Sequence, residues 1–280
     1  MNNIELVEVL TPDGLDLDGL LFRPTKIKNP ESAVLMVHGV GWNFYRGLMR
    51  KMAERLANRG FTTLSINTRG HDWLARGGSG RDFVGAAFET IEESTFDLDG
   101  FIEDLEAKGF TRLALIGHSL GAVKVLKYQA EHPRPSVKTV ISVSSPDLSS
   151  GNLLGKAELN LDYEAAERLM KNGENESLIR GKFASDMDVY FSAKTIVNKY
   201  GPEGRGDVRK FISRINLPTL ITTGSEEKKI SEYGVRLTEI AKSTVLTRTE
   251  IEGADHFYKG KEDQLELILY EWLRKHLSTD

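Results

Sequence analysis

The chain has 280 residues, 41 acidic against 37 basic side chains, a formal net charge of −4 and no cysteine. Missing thiols exclude disulfides, a cysteine nucleophile and thiolate metal sites, and the near-even charge offers nothing to nucleic acid or an anionic membrane. With no apolar run as long as a membrane span and no signal-peptide pattern in Met1-Asn2-Asn3-Ile4-Glu5, the expectation is a cytoplasmic protein of one large α/β domain or two small ones.

Residues 4–11 and 15–23 read as two strands joined by Pro12-Asp13-Gly14, a hairpin-type turn. A polar linker leads to Ala33-Val34-Leu35-Met36-Val37, a continuous apolar run suited to a strand buried on both faces, ending in His38-Gly39-Val40-Gly41. Phe44, Leu48, Met52 and Leu56 fall at helical spacing over 44–60, and Gly60 stands where a helix would stop. Phe61 to Ile66 is the next buried strand, followed by Asn67-Thr68-Arg69-Gly70-His71-Asp72. Gly77-Gly78-Ser79-Gly80 is the most flexible-looking stretch of this half, and its spacing is not that of a phosphate-binding loop. A helix over 90–108, a strand into Ser119, a helix to 131 and the strand Val137 to Val143 follow.

Residues 149–216 break this rhythm. Leu159, Tyr163, Ala166, Leu169 and Met170 suggest one amphipathic helix, and Ile179, Phe183, Met187 and Tyr190 another, so the segment reads as an inserted helical lid. The alternation resumes with a strand over 217–223, a helix over 231–242, the strand Thr244 to Ile251 and a last helix over 262–276. The expected architecture is a mostly parallel, doubly wound sheet, with 1–148 and 217–280 as core and 149–216 as the lid.

Leu113 to Val123 carries the chemistry: a short apolar strand, a turn with Ser119 between two glycines, and the start of a helix. That is the setting in which G-x-S-x-G holds a nucleophilic serine, with Gly117 and Gly121 sparing Cβ collisions in a strained turn. The hydroxyl would stand at a helix N-terminus, which favours an anion. A serine needs a base. Of the six histidines, His256 in Gly253-Ala254-Asp255-His256-Phe257 follows the last strand, where loops beyond strand carboxyl ends converge. His38 and His118 sit in strand-end turns as structural residues, His132 and His276 read as surface, and His71 is the lesser candidate. An acid should orient the imidazole. In Gly224-Ser225-Glu226-Glu227 the spacing favours Glu227, with Glu226 and Asp147 as alternatives, while Asp255 is expected to point elsewhere.

The order Ser119, Glu227, His256 is that of the α/β-hydrolase fold, and the chain resembles that family across nearly its full length. The landmarks are His38-Gly39, Asn67-Thr68-Arg69-Gly70, Gly117-His118-Ser119-Leu120-Gly121, Ser144-Ser145-Pro146, the glycine–acid turn and Gly253-Ala254-Asp255-His256. One departure is Glu227 where many members have Asp. The resemblance implies an oxyanion hole from the backbone N–H groups of Val40 and Leu120. Within the family the chain looks most like small esterases with a helical lid, including relatives of siderophore esterases.

The expected chemistry is transfer of an acyl group to water, on a small to medium, partly hydrophobic ester. Trp42, Phe44, His71 and Trp73 follow strand ends as candidate pocket residues, whereas most apolar lid positions are expected simply to pack the lid. No metal or cofactor is called for, and the expected partner is a small-molecule substrate. The same triad would also serve a thioesterase, lactonase or amidase, and the scaffold could carry a ligand receptor without catalysis. The oligomeric state is not readable from the sequence.

Overall fold

The apolar runs form the inner strands of one eight-stranded sheet. The computed structural model describes residues 3–26, 29–77, 83–149, 160–183, 187–241 and 245–278. The first half holds β1 (Asn3–Leu10), β2 (Asp16–Arg23), β3 (Ser32–Val37), α1 (Gly47–Asn58), β4 (Thr62–Ile66), the two-residue strands β5 (Ala75–Arg76) and β6 (Phe83–Val84), α2 (Ser94–Ala107), β7 (Arg112–His118), α3 (Leu120–Glu131) and β8 (Val137–Val143). The second holds α4 (Tyr163–Lys171), β9 (Leu178–Phe183), β10 (Met187–Ser192), α5 (Ala193–Tyr200), two short 3-10 turns, β11 (Thr219–Gly224), α6 (Lys228–Ala241), β12 (Leu246–Ile251) and α7 (Glu262–His276).

The strand order is β1-β2-β4-β3-β7-β8-β11-β12. Strands β1 and β2 pair antiparallel, β2 meets β4 antiparallel, and every pairing from β4 to β12 is parallel. Because the inner strands are covered on both faces, successive residues serve opposite cores. Leu35 and Val37 pack with Leu98, Phe101, Val123 and Leu237. Val34 and Met36 pack with Met52, Leu56, Leu265 and Leu269 on the other face. The fold is therefore doubly wound. Strands β3 and β7 are neighbours, yet the chain leaves β3 towards β4 and β7 towards β8, so their following loops part and open a crevice there.

Element boundaries differ locally from the sequence pattern. The first helix begins at Gly47 rather than Phe44, because the Phe44 N–H is taken by Asn67 Oδ1 (3.0 Å) and its carbonyl by Ser65 Oγ (2.9 Å), which holds it in a turn. Gly78, Ser79, Gly80, Leu159 and Thr244 lie outside the described residues.

The reading of a second amphipathic helix on Ile179, Phe183, Met187 and Tyr190 within 149–216 needs correction. Tyr163, Ala166, Leu169 and Met170 do form a helix, α4. Ile179, Phe183, Met187 and Tyr190, by contrast, lie in an antiparallel hairpin, β9–β10. Their helical spacing coincides with a period of two carried by other residues: Val189 and Phe191 are buried at 3% and 0% exposure, while Met187 and Tyr190 are exposed at 45% and 50%. Arg180 and Lys182 both face Asp188 across the hairpin, at 2.6 and 2.7 Å. Val189 and Phe191 join Ala166, Ala193 and Ile196 in a third apolar cluster, against which Trp73 packs.

Helix α5 is built into the core. Ser192 N–H donates to Ala87 O (2.8 Å), Thr195 Oγ1 to Glu89 O (3.2 Å), Ile91 N–H to Asn198 Oδ1 (2.9 Å) and Asn198 Nδ2 to Glu92 Oε2 (2.7 Å). Among the described residues, no helix is long and apolar enough to cross a membrane.

Candidate active site

Ser119 sits between β7 and α3 at φ 54°, ψ −123°, a conformation an L-residue holds only under constraint. The constraint is close backbone approach. A Cβ on Gly117 would lie 2.1 Å from Gly121 O, and one on Gly121 2.4 Å from Val37 O. Ser119 N–H donates to Val143 O (2.8 Å), which pins the turn to the next strand. Leu120 opens α3, so its N–H is one that a helix leaves without an intrahelical acceptor.

His256 Nε2 lies 3.1 Å from Ser119 Oγ, and His256 Nδ1 lies 2.5 Å from Glu227 Oε2. With Nδ1–H donated to the carboxylate, Nε2 is free to accept from the serine hydroxyl. The Glu227 side chain is 5% exposed. Its other oxygen accepts from Gly224 N–H (2.9 Å) and Ser144 Oγ (2.6 Å). Ser144 Oγ is in turn 2.9 Å from Tyr258 OH. The ends of β8, β11 and β12 thus meet on one carboxylate. They come this close because Gly224 lacks a Cβ, which would lie 2.2 Å from Ala254 O.

The other acids lie apart. Glu226, one residue away, is exposed, and its N–H bonds Ala254 O. Asp147 accepts from Arg236 (3.2 Å) and Ser149 N–H (3.0 Å). Asp255 caps its own turn, accepting from Phe257 and Lys259 N–H at 3.0 Å each.

The turn after β3 faces this group. A Cβ on Gly39 would be 3.0 Å from Ser119 Cβ, so Val40 follows directly on a contact with the serine. His38 Nε2 accepts from Thr68 N–H (3.0 Å), which leaves Nδ1–H to donate to Gly39 O (2.7 Å). That imidazole is neutral: burial above all, then the nearby Lys124 ammonium, brings its pKa down to about 3. Gly39 O also accepts from Trp42 N–H (3.2 Å). In a planar trans peptide the C=O of one residue and the N–H of the next point opposite ways. Fixing Gly39 O therefore fixes where the Val40 N–H points.

His118 is also buried and neutral. Burial first, then the His256 ring 4.8 Å away, lowers its pKa to about 3, and its Nε2–H donates to His256 O (2.8 Å). Its role is to hold the His256 backbone.

Of the four candidate pocket aromatics, two border the site. Trp42 lies 5.8 Å from Phe257, whose ring is 5.2 Å from His256. Trp42 and Phe257, with His38, Gly39, Met49 and His118, line a small cavity of about 10 Å³. The Trp73 ring covers Gly41, where a Cβ would be 2.8 Å from it, and meets Phe191 of the hairpin edge-on at 5.8 Å. Phe44 instead packs on Tyr45 (5.2 Å), and His71 Nδ1 pairs with Asp72 Oδ2 (2.9 Å). Sequence reasoning missed the contributions of Ser144, Phe257, Tyr258 and Phe191. Ser144 carried a signal in the Ser144-Ser145-Pro146 landmark, and Phe257 and Tyr258 in their adjacency to His256; Phe191 carried none. An open groove of about 570 Å³ between α4, α5 and residues 90–93 contains none of the site residues. Among the described residues, no group of three or more His, Asp or Glu could hold a metal ion.

Residues 28–189 match the family model described as serine aminopeptidase, S33 (Hydrolase_4). No curated protein matches the chain in sequence. Among solved structures, the α/β hydrolase GrgF from Penicillium sp. sh18 is similar at 17% identity and a TM-score of 0.77, covering 98% of this chain and 99% of that one. The esterase Pf2001 of Pyrococcus furiosus is similar at 16% identity and a TM-score of 0.64, over 99% and 94% of the two chains. Est1E from Butyrivibrio proteoclasticus, solved with ferulic acid bound, is similar at 19% identity and a TM-score of 0.67, over 96% and 98%. Identities this low carry the fold, not the substrate.

Proposed function

The chain belongs to the serine aminopeptidase (S33) family of α/β hydrolases, and we propose that it is a serine esterase acting on a small to medium, partly hydrophobic carboxylic ester. The observation that carries this reading is the continuous arrangement of Ser119 Oγ, His256 and Glu227, at 3.1 and 2.5 Å. Ser119 Oγ attacks the ester carbonyl as His256 Nε2 takes its proton. The tetrahedral oxyanion is received by the N–H groups of Val40 and Leu120, and Glu227 stabilises the imidazolium. His256 then gives the proton to the departing alkoxide, which leaves the acyl group on Ser119. Water, deprotonated by His256, attacks this acyl-enzyme, and the carboxylic acid and free serine are released. No metal or cofactor takes part.

Trp42, Trp73 and Phe257 supply an aromatic border suited to an apolar acyl or alkyl group. In this reading α4 and the β9–β10 hairpin act as a lid over the crevice, and α5, hydrogen-bonded along residues 87–92, is its fixed end. An ester is favoured over an amino-terminal peptide because Glu227, engaged by His256, Ser144 and Gly224, does not serve a substrate ammonium.

The test is fluorophosphonate labelling of wild type beside Ser119→Ala, read by peptide mass mapping, followed by p-nitrophenyl esters against aminoacyl anilides and acyl-CoA. We expect one adduct on the Ser119 peptide, absent in the variant, and turnover of esters above the other substrates. Folded wild-type protein without an adduct would overturn the nucleophile assignment. Faster turnover of anilides would move the reading to an amidase.

A further inference from the structure

We propose that Thr68 and Lys124 are positioning residues for the Val40 N–H, and that the buried Lys199–Glu89–Lys124 ion cluster ties helix α5 of the inserted segment to them. The inference rests on the esterase reading.

Lys124 Nζ lies 2.6 Å from Glu89 Oε2 and Lys199 Nζ 2.8 Å from Glu89 Oε1, with all three side chains 1% exposed. Burial alone would raise the Glu89 carboxyl; the two ammonium groups outweigh it and bring its pKa down to about 2. Room for this carboxylate comes from Gly70, where a Cβ would lie 1.8 Å from Glu89 Oε2. Three buried charges are an expensive way to fill a core, since each must be stripped of water. Apolar side chains of the same volume would pack there at no such cost. What the ions provide instead is direction.

Lys124 Nζ also donates to Thr68 Oγ1 (2.8 Å). Thr68 N–H bonds His38 Nε2 (3.0 Å), and His38 Nδ1–H bonds Gly39 O (2.7 Å), which orients the Val40 N–H. Lys124 is also one helical turn beyond Leu120 in α3. One side chain is therefore linked to both proposed oxyanion donors, through its own helix to Leu120 and through Thr68 and His38 to Val40. On the other side, Lys199 belongs to α5, so the inserted segment reaches the oxyanion turn through the core as well as over the crevice.

Thr68→Val tests the link while keeping all three charges in place: it removes the hydroxyl that Lys124 holds but keeps the backbone N–H and the volume. We expect kcat on a p-nitrophenyl ester and the fluorophosphonate labelling rate to fall about tenfold, less than the loss of a whole oxyanion donor. KM should stay within about twofold, because the effect falls on the transition state. Thr68→Ser should restore both rates. If kcat and labelling stay at wild-type values in Thr68→Val, the proposal is overturned. Lys199→Met, which leaves the Glu89–Lys124 pair intact, should lower kcat at unchanged KM. An unchanged kcat would overturn the role of the ion cluster, and this variant decides the matter should Thr68→Val not fold. A wild-type enzyme that does not label at Ser119 would instead sink the esterase reading, so the two failures are distinguishable.

Discussion

Acid should destabilise this protein well before its carboxylates protonate, through the two buried histidines beside the site. His38 and His118 both have pKa values near 3 in the folded chain, against 6.5 as the reference for the unfolded one. For a base held neutral in the fold, the unfolded state binds more protons, so stability rises with pH. The contribution is complete above pH 6.5 and is lost as pH falls towards 3. At pH 5 the unfolded histidine is almost wholly protonated and the folded one is not, so each costs about 2 kcal/mol, or about 4 kcal/mol for the pair. That value barely changes if the folded pKa is 4 rather than 3, because both lie below pH 5. It is a large share of the roughly 5–15 kcal/mol that holds a domain together. The Glu89 carboxylate acts in a lower window: its folded pKa is depressed, so its contribution is lost only below pH 4.5. Urea unfolding at pH 7.5 and pH 5.0, at constant ionic strength, measures the effect. The comparison is with His118→Gln, whose amide can still donate to His256 O but does not titrate. We expect the variant to be less stable at pH 7.5 yet to lose about 2 kcal/mol less than wild type on going to pH 5. Equal losses in the two proteins would refute the argument that His118 is held neutral by burial.

Two further substitutions probe the geometry. Gly121→Ala places a Cβ 2.4 Å from Val37 O and 2.5 Å from His38 O, both backbone atoms that cannot rotate away. A loss of more than about 3 kcal/mol, or failure to fold, is expected, and an unchanged melting temperature would contradict it. Ser144→Ala removes the hydroxyl from Glu227 Oε1 and leaves Gly224 N–H and His256 as partners. Steady-state ester hydrolysis should show kcat lowered by up to about tenfold at similar KM, and a wild-type kcat would exclude Ser144 from holding the acid.

Much of the fold was legible because it rests on local sterics and hydrophobic periodicity. The run over 33–37 suits a strand covered on both sides, that over 113–116 reads as a short apolar strand, and the patterns over 137–143 and 262–276 coincide with β8 and α7. The turn at Ser119 is written in five residues, because Gly117 and Gly121 are needed wherever backbone passes that close. The β9–β10 hairpin was not legible in the same way. Within 178–192 the apolar residues satisfy both a helical and a strand period, and only burial of Val189 and Phe191 against α4 and α5 selects the strand.

At the site, the sequence by itself determined the residue types, their order along the chain and the strand ends that carry them. Tertiary structure decided which neighbour takes which partner. Glu226 and Glu227 are adjacent and chemically alike, yet Glu227 alone meets His256, because Gly224 N–H and a serine 83 positions away in sequence also hold its carboxylate. Glu89 finds its two lysines 35 and 110 residues away. Glu227 was favoured by its spacing from Gly224, but the Ser144 and Glu89 pairings leave no local trace, since a hydrogen bond between distant residues restricts neither the turn nor the periodicity of the segments it joins. They exist only once the sheet has brought its strand ends together.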